Sequence, residues 1–299
     1  RQTPFQVKGK EYTVLNELGR GGSSRVFKVS YRLCSRQVVA TDGKIYALKH
    51  CRSDPNGGHM ASYKTEIETL EKLRGQDRVI RLIDWEESPD GEVVIMVAGI
   101  ALLFQLLEEG HADLDAVLKI RKLDHIKIRF YWQEMLECVN ILHAVGVIHR
   151  DLKPANFVLV KGVLKIIDFG LTVLLELSYM SPECFDEVEP GNYKVRRAAD
   201  VWSLGCILYQ MVFGQPPFNH IANYHKKALA IISKDPVAIP QLPVGCNDPA
   251  LRDVLHKCLS RDSHSRPTVE ELLSHTYLSS AAATGDSRAS PDYGLRQRL

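Results

Sequence analysis

The chain has 299 residues, and its 38 Lys and Arg nearly balance 36 Asp and Glu, for a formal charge of +2. That balance offers no electrostatic case for direct binding to nucleic acid or to a membrane surface. An apolar content of 45% with 25% charged residues is that of a globular protein with room for one large domain or two lobes.

Seven cysteines, Cys34, Cys51, Cys138, Cys184, Cys206, Cys246 and Cys258, are scattered without a C-x-x-C pair. This is the usage expected of reduced thiols in cytosol or nucleus. The first residue is Arg1 rather than Met, as in a segment cut from a longer chain.

In chain order, "YTVLNELG" (12–19) and "SRVFKVSYR" (24–32) alternate apolar and polar residues around a glycine-rich turn, the pattern of an antiparallel hairpin. "KIYALKHC" (44–51) reads as a third strand introduced by the Asp42-Gly43 turn signal. In "SYKTEIETLEKLR" (62–74) the period changes: Tyr63, Ile67, Leu70 and Leu73 stand three or four apart, so a helix is predicted. "VIRLIDWEE" (79–87) and "EVVIMV" (92–97) return to strand. The apolar run at 93–107 contains Gln105 and falls short of the about 20 residues a membrane span needs. It reads as a buried strand or core segment.

Beyond Gly110 the pattern is mainly helical. Helices are predicted over 126–146, ending at Gly146, and over 198–214, 249–259 and 266–278. The last of these is read with Pro267 in its first turn. Residues 279–299 are small and polar and read as a disordered tail. The fold class expected is α+β: a strand-rich N-terminal lobe, a helical C-terminal lobe and a ligand cleft between them.

Three constellations carry chemistry. In "LGRGGSSRVFKV" (18–29), Gly19, Gly21 and Gly22 let backbone N–H groups approach a phosphate, although a hairpin turn uses glycine for conformation alone. Lys49, on a strand, is either an edge-strand lysine facing water or a buried cation seeking an anion, which Glu66 can supply. "HRDLKPAN" (149–156) followed by "DFG" (168–170) is far more specific. Asp151 can take a proton from a hydroxyl, Lys153 can offset phosphate charge, and Asn156 and Asp168 offer oxygens to a hard cation such as Mg²⁺.

Together with "SPE" at 181–183, "DVWSLGC" from Asp200 and Arg266, these motifs make residues 12–278 resemble the protein kinase family. The resemblance implies an N-lobe over about 12–109, a C-lobe over about 111–278, and phosphoryl transfer from Mg²⁺-ATP to protein substrates. Lys49, held by Glu66, would grip the α- and β-phosphates, and Asp151 would be the base. Lys153 would steady the γ-phosphate, and Asn156 and Asp168 would bind Mg²⁺. Leu18, Gly19, Gly21, Gly22, Val26, Ala47, Glu108, Glu109 and Gly110 would complete the nucleotide site, with Ser24 where the third loop glycine usually stands. Glu183 would pair with Arg266 as a structural contact. "GGSSRVFKV", "KPANFVLV" and "SYMSPE" look most like the monopolar spindle kinases, dual-specificity enzymes of the mitotic spindle checkpoint. That likeness implies Ser/Thr and Tyr as acceptors, kinetochore proteins as partners, and a nuclear and cytoplasmic protein found at kinetochores in mitosis.

Three features depart from that pattern. "HRD" stands where these kinases usually read "HSD", and Arg150 is the residue with which kinases sense an activating phosphate. Only twelve residues, 171–182, separate "DFG" from Glu183, with Leu175 and Glu176 at the place of a usual Gly-Thr pair and only Thr172 and Ser178 as phosphosites. Residues 98–106 pad a buried strand. The last two departures sit inside well-matched motifs, where a gene-prediction fault or an alternative transcript would place them. The short segment keeps a second reading open, a kinase-like scaffold that binds nucleotide or partners without useful turnover.

Overall fold

A computed structural model describes residues 4–20, 24–35, 38–51, 60–89, 92–98, 113–120, 122–160, 163–169, 176–189, 192–193 and 196–283. They fall into two compact units, one drawn from Arg1–Asp113 and Val158–Thr172, the other from Leu114–Phe157 and Val173–Leu299. A strand-rich first unit and a mainly helical second unit make the α+β class expected.

The first unit is built on an antiparallel six-stranded sheet in the order β1-β2-β3-β4-β6-β5. Its strands are β1 (Phe5–Val7), β2 (Lys10–Arg20), β3 (Ser24–Ser35), β4 (Val38–Cys51), β5 (Arg81–Glu87) and β6 (Val93–Ala98). β1 was not anticipated. It turns into β2 through Lys8 and Gly9, both at positive φ (47° and 73°), the two-residue turn whose twist suits a hairpin. Asp42-Gly43 does not start a strand either. β4 runs through it, and residues 42–44 bulge opposite Tyr31, since Arg32 pairs with Thr41 and Ser30 with Ile45.

Period-two alternation sorts the side chains. Phe27, Leu48 and Met96 form one cross-strand row and pack with Val7, Tyr12 and Val29 in a buried cluster. The neighbouring row, Val26, Lys49, Ile95 and Trp85, runs across β3, β4, β6 and β5 and points to the opposite face. Helix α1 (Met60–Lys72) has the predicted stripe, with Tyr63, Ile67 and Leu70 buried and Leu73 just beyond its end, and it packs on β5. A hairpin of β7 (Phe157–Val160) and β8 (Val163–Ile166) joins this unit: Ile80 N–H donates to Ile166 O, and Ile166 N–H to Arg78 O, at 3.1 and 2.9 Å. Asp168 follows two residues later.

In the second unit, α2 (Leu114–Ile120) precedes α3 (His125–Ala144). Asp124 caps α3, accepting from Lys127 N–H at 2.9 Å, and Gly146 at φ 75° follows its end as predicted. α4 (Arg197–Phe213) is buried nearly all round, as a core helix should be, and ends on Gly214 at φ 86°. α5 (Tyr224–Ile232) and α6 (Pro249–Cys258) follow.

The predicted helix over 266–278 is two. Pro267 lies outside, and Thr268 caps α7 (Val269–Leu273) in a reciprocal box with Glu271. α8 (Thr276–Ala283) then begins, so residues 279–283 of the expected tail are helical, and 284–299 lie outside the described residues. Among the described residues no helix is long and apolar enough to cross a membrane, and residues 93–98 of the apolar run are strand β6.

α4 approaches α6 through Gly205, where a Cβ would stand 2.7 Å from Cys258 Cβ and 3.1 Å from Leu259 Cδ2. A Cβ cannot swing aside, so the helices themselves would have to part. Gly205→Ala should therefore cost about 1–3 kcal/mol, read as a lower urea midpoint at unchanged slope.

Candidate active site

In the first unit the predicted Lys49 and Glu66 meet. Lys49 Nζ lies 3.0 and 2.8 Å from the two carboxylate oxygens of Glu66, which α1 carries on its buried side. Asp168 Oδ1 is 3.5 Å from the same ammonium. Lys49 reaches them because residues 47, 49 and 51 of β4 share the face opposite Leu48. Burial opposes its charge, but Glu66 and then Asp168 outweigh that cost and hold the ammonium above the usual lysine range. Asp168 is left-handed at φ 62°, an unfavourable conformation for a residue with a Cβ, and its side chain is 40% exposed. Val26 is half-buried opposite Lys49, and Ala47 is buried in β4. Leu18 and Gly19 lie in β2. Gly21, Gly22, Glu108, Glu109 and Gly110 lie outside the described residues, as does the padding over 99–106.

In the second unit the loop after α3 gathers Asp151, Lys153 and Asn156. Lys153 Nζ is 3.0 Å from Asp151 Oδ2. Lys153 N–H donates to Asn156 Oδ1 at 3.0 Å, closing the 3₁₀ turn at Pro154–Asn156. Asp151 and Asn156 are both buried.

What shapes this loop is a residue whose role sequence reading missed. Asp200, fully buried on α4, accepts from Arg150 N–H (2.9 Å), His149 N–H (3.0 Å) and the His143 ring (2.8 Å). These bonds hold Arg150 at φ 72° while its side chain stays exposed. The signal was available: a lone carboxylate in a mostly apolar helix must have partners.

Glu176, where the sequence lacks the usual Gly-Thr pair, stands within electrostatic reach of Lys153, Asp151 and Asp115. Partial burial, offset by Lys153 and reinforced by the two aspartates, raises its carboxyl. Residues 171–175, with Thr172, lie outside the described residues. Ser178 is buried and accepts from Lys227 Nζ at 3.4 Å, so it is not an exposed phosphosite. The expected Glu183–Arg266 pair is present and bidentate, at 2.5 and 2.8 Å, and Arg266 also donates to Ala198 O and Ser260 O.

Among the described residues no cluster of three or more His, Cys, Asp or Glu is placed to hold a metal. Asn156 and Asp168 remain as hard-oxygen donors: the Asn156 oxygen keeps a lone pair beyond its one backbone bond, and the Asp168 carboxylate is half-open.

The protein kinase domain profile matches residues 12–278. The chain is 39% identical over 296 residues to a probable serine/threonine-protein kinase mps1 of Dictyostelium discoideum, covering 91% of this chain and 28% of the relative. It is 37% identical to serine/threonine-protein kinase MPS1 of Saccharomyces cerevisiae, covering 91% and 37%. It is 36% identical to dual specificity protein kinase TTK of Mus musculus, covering 92% and 32%. The chain thus spans about a third of the length of these curated relatives.

Two outcomes follow from the geometry. Arg266→Met should destabilise the chain by about 3–5 kcal/mol in chemical denaturation, because it strands the Glu183 carboxylate and two backbone carbonyls. Cys51 is fully buried, and its thiol is pushed up to about 12, by burial first and against the pull of Lys49. A raised thiol favours the native state fully below its unfolded value of about 8.5 and loses that contribution as pH climbs toward 12. Iodoacetamide at pH 8.5 should therefore spare Cys51 in the native chain and label it once urea has unfolded the protein, as peptide mass spectrometry will record.

Proposed function

The chain belongs to the protein kinase family, and from that premise we propose that it is a Mg²⁺- and ATP-dependent serine/threonine kinase, able to use Tyr as well, acting in the spindle checkpoint. The observation that carries the reading is the paired Lys49 and Glu66 with Asp168 beside them, a poised cation of the kind that orients the phosphates of a bound nucleotide. ATP would supply the phosphoryl group, and the divalent cation would offset its charge. Asp151 orients the acceptor hydroxyl and receives its proton, while Lys153 neutralises charge that grows on the transferred phosphoryl oxygens. Asn156 and Asp168 are the residues we assign to the cation, and residues 12–278 are the kinase domain.

The likeness to kinases named MPS1 and TTK supports the mitotic assignment, kinetochore proteins as substrates or partners, and a nuclear and cytoplasmic site of action reaching kinetochores in mitosis. A second reading, a scaffold that holds nucleotide without turnover, draws on the twelve-residue segment and on Glu176 beside Asp151 and Lys153.

Transfer of ³²P from Mg²⁺-ATP to a generic basic protein decides between them. Asp151→Asn should lower the rate by about 10²-fold or more, and Lys49→Met should abolish useful transfer. Equal signals from wild type and both variants would refute the enzyme, and nucleotide binding without transfer would establish the scaffold.

A further inference from the structure

The contacts that hold Glu66 against Lys49 are usually sought on the buried face of the helix that carries it. Here the apolar stripe of α1 packs on β5, but apolar contact is non-directional and leaves a helix free to rotate or slide by part of a turn. A hydrogen bond does not, because it fixes both distance and angle. α1 makes such a bond five residues beyond Glu66: Trp85 Nε1–H donates to Glu71 Oε1 at 3.0 Å.

Sheet register makes this bond a natural companion of the Lys49–Glu66 pair. Lys49 and Trp85 are both cross-strand partners of Ile95, so they lie in one row, two strands apart, on the same face. Two strand spacings are about 9.6 Å. Glu66 and Glu71 are separated by about 7.5 Å along the helix axis and about 140° around it. Two side chains in one row of the sheet therefore meet two glutamates on different sides of one helix.

β5 is itself held from outside. The Lys8 N–H donates to Glu86 Oε2 at 2.5 Å, its Nζ lies 2.6 Å from Asp84 Oδ1, and the same ammonium stands 5.9 Å from the Trp85 ring centroid. Lys64 and Glu87 add an exposed contact between α1 and β5 at 3.3 Å.

We propose that Trp85 and Glu71 are positioning residues, a second pin that fixes the rotation and axial register of α1 and so presents Glu66 to Lys49. The proposal deepens the kinase reading, on which it depends only for the use made of the Lys49–Glu66 pair. Lys8 lies before residue 12, where the family match begins, so residues outside the matched domain brace this pin.

The test reads Lys49 itself. Wild type, Trp85→Phe, Glu71→Ala and Glu71→Gln chains are treated with limiting acetic anhydride, and the acetylation rate at Lys49 is followed by peptide mass spectrometry beside each thermal midpoint. A lysine released from the Glu66 carboxylate is freer to meet the reagent, so Trp85→Phe and Glu71→Ala should acetylate about three- to ten-fold faster, the shift that loss of one hydrogen bond allows. Glu71→Gln, which keeps an accepting oxygen, should stay near wild type, and the double variant Trp85→Phe with Glu71→Ala should be no faster than either single one. In the transfer assay the same variants should show a higher KM for ATP with a smaller change in kcat.

Lys49 acetylation at the wild-type rate in both Trp85→Phe and Glu71→Ala overturns the proposal. Should Trp85→Phe fail to fold, equal rates in Glu71→Ala and Glu71→Gln overturn it as well. Acetylation needs no turnover, so an inactive wild type would defeat the kinase reading and leave this result to stand or fall alone.

Discussion

A lysine set on an inner face of a sheet has to be answered by negative charge, and the first unit is arranged around that demand. Taking the Lys49 ammonium out of water costs several kcal/mol of hydration, which only close carboxylates return. One comes from α1 and the other from the segment after β8. The β8 hairpin is tied back to residues 78–80 by backbone hydrogen bonds, so both carboxylates are delivered by elements anchored elsewhere in the unit. Removing either anchor would leave a buried charge short of its partner, a heavier loss than the pair contributes when intact.

The second unit uses the opposite sign of the same physics. Asp200 is a carboxylate with no exposure at all, inside a helix that is buried nearly all round, and it is satisfied by two backbone N–H groups and a histidine ring. That bonding bends the chain at Arg150 into a left-handed conformation and sets the direction in which Asp151 and Lys153 leave the loop. Asp151 and Asn156 are themselves buried and Lys153 half-buried, and the residue that shapes their loop has no exposure at all. The Glu183–Arg266 pair likewise ties the end of the short segment to the region between α6 and α7, with Arg266 spread over three acceptors.

Elements with a long, clean period were legible in the chain. The stripe of Tyr63, Ile67, Leu70 and Leu73, the α3 helix with its glycine stop, and the alternation of β2 and β3 appear where the pattern put them. Local turn chemistry was less dependable. Asp42-Gly43 has turn residues, yet neighbouring pairing on both sides turned it into a bulge. Residues 266–278 have continuous helical spacing, yet Thr268 and Glu271 cap a short helix that stops before Thr276. β1 was too short to announce itself, and its place at the sheet edge comes from pairing with β2.

The sequence by itself singled out Lys49, Glu66, Asp151, Lys153, Asn156 and Asp168 as candidates, because their order and spacing resemble the protein kinase signature, while by its chemistry alone Lys49 could equally have faced water. Which of them touch was decided only by the fold. Cross-strand register put Lys49 and Trp85 in one row, helix pitch set Glu66 and Glu71 opposite them, and the burial of Asp200 gave the Asp151 loop its shape. Those relations join residues up to some fifty positions apart through sheet pairing and core packing, and no local pattern of residues carries them.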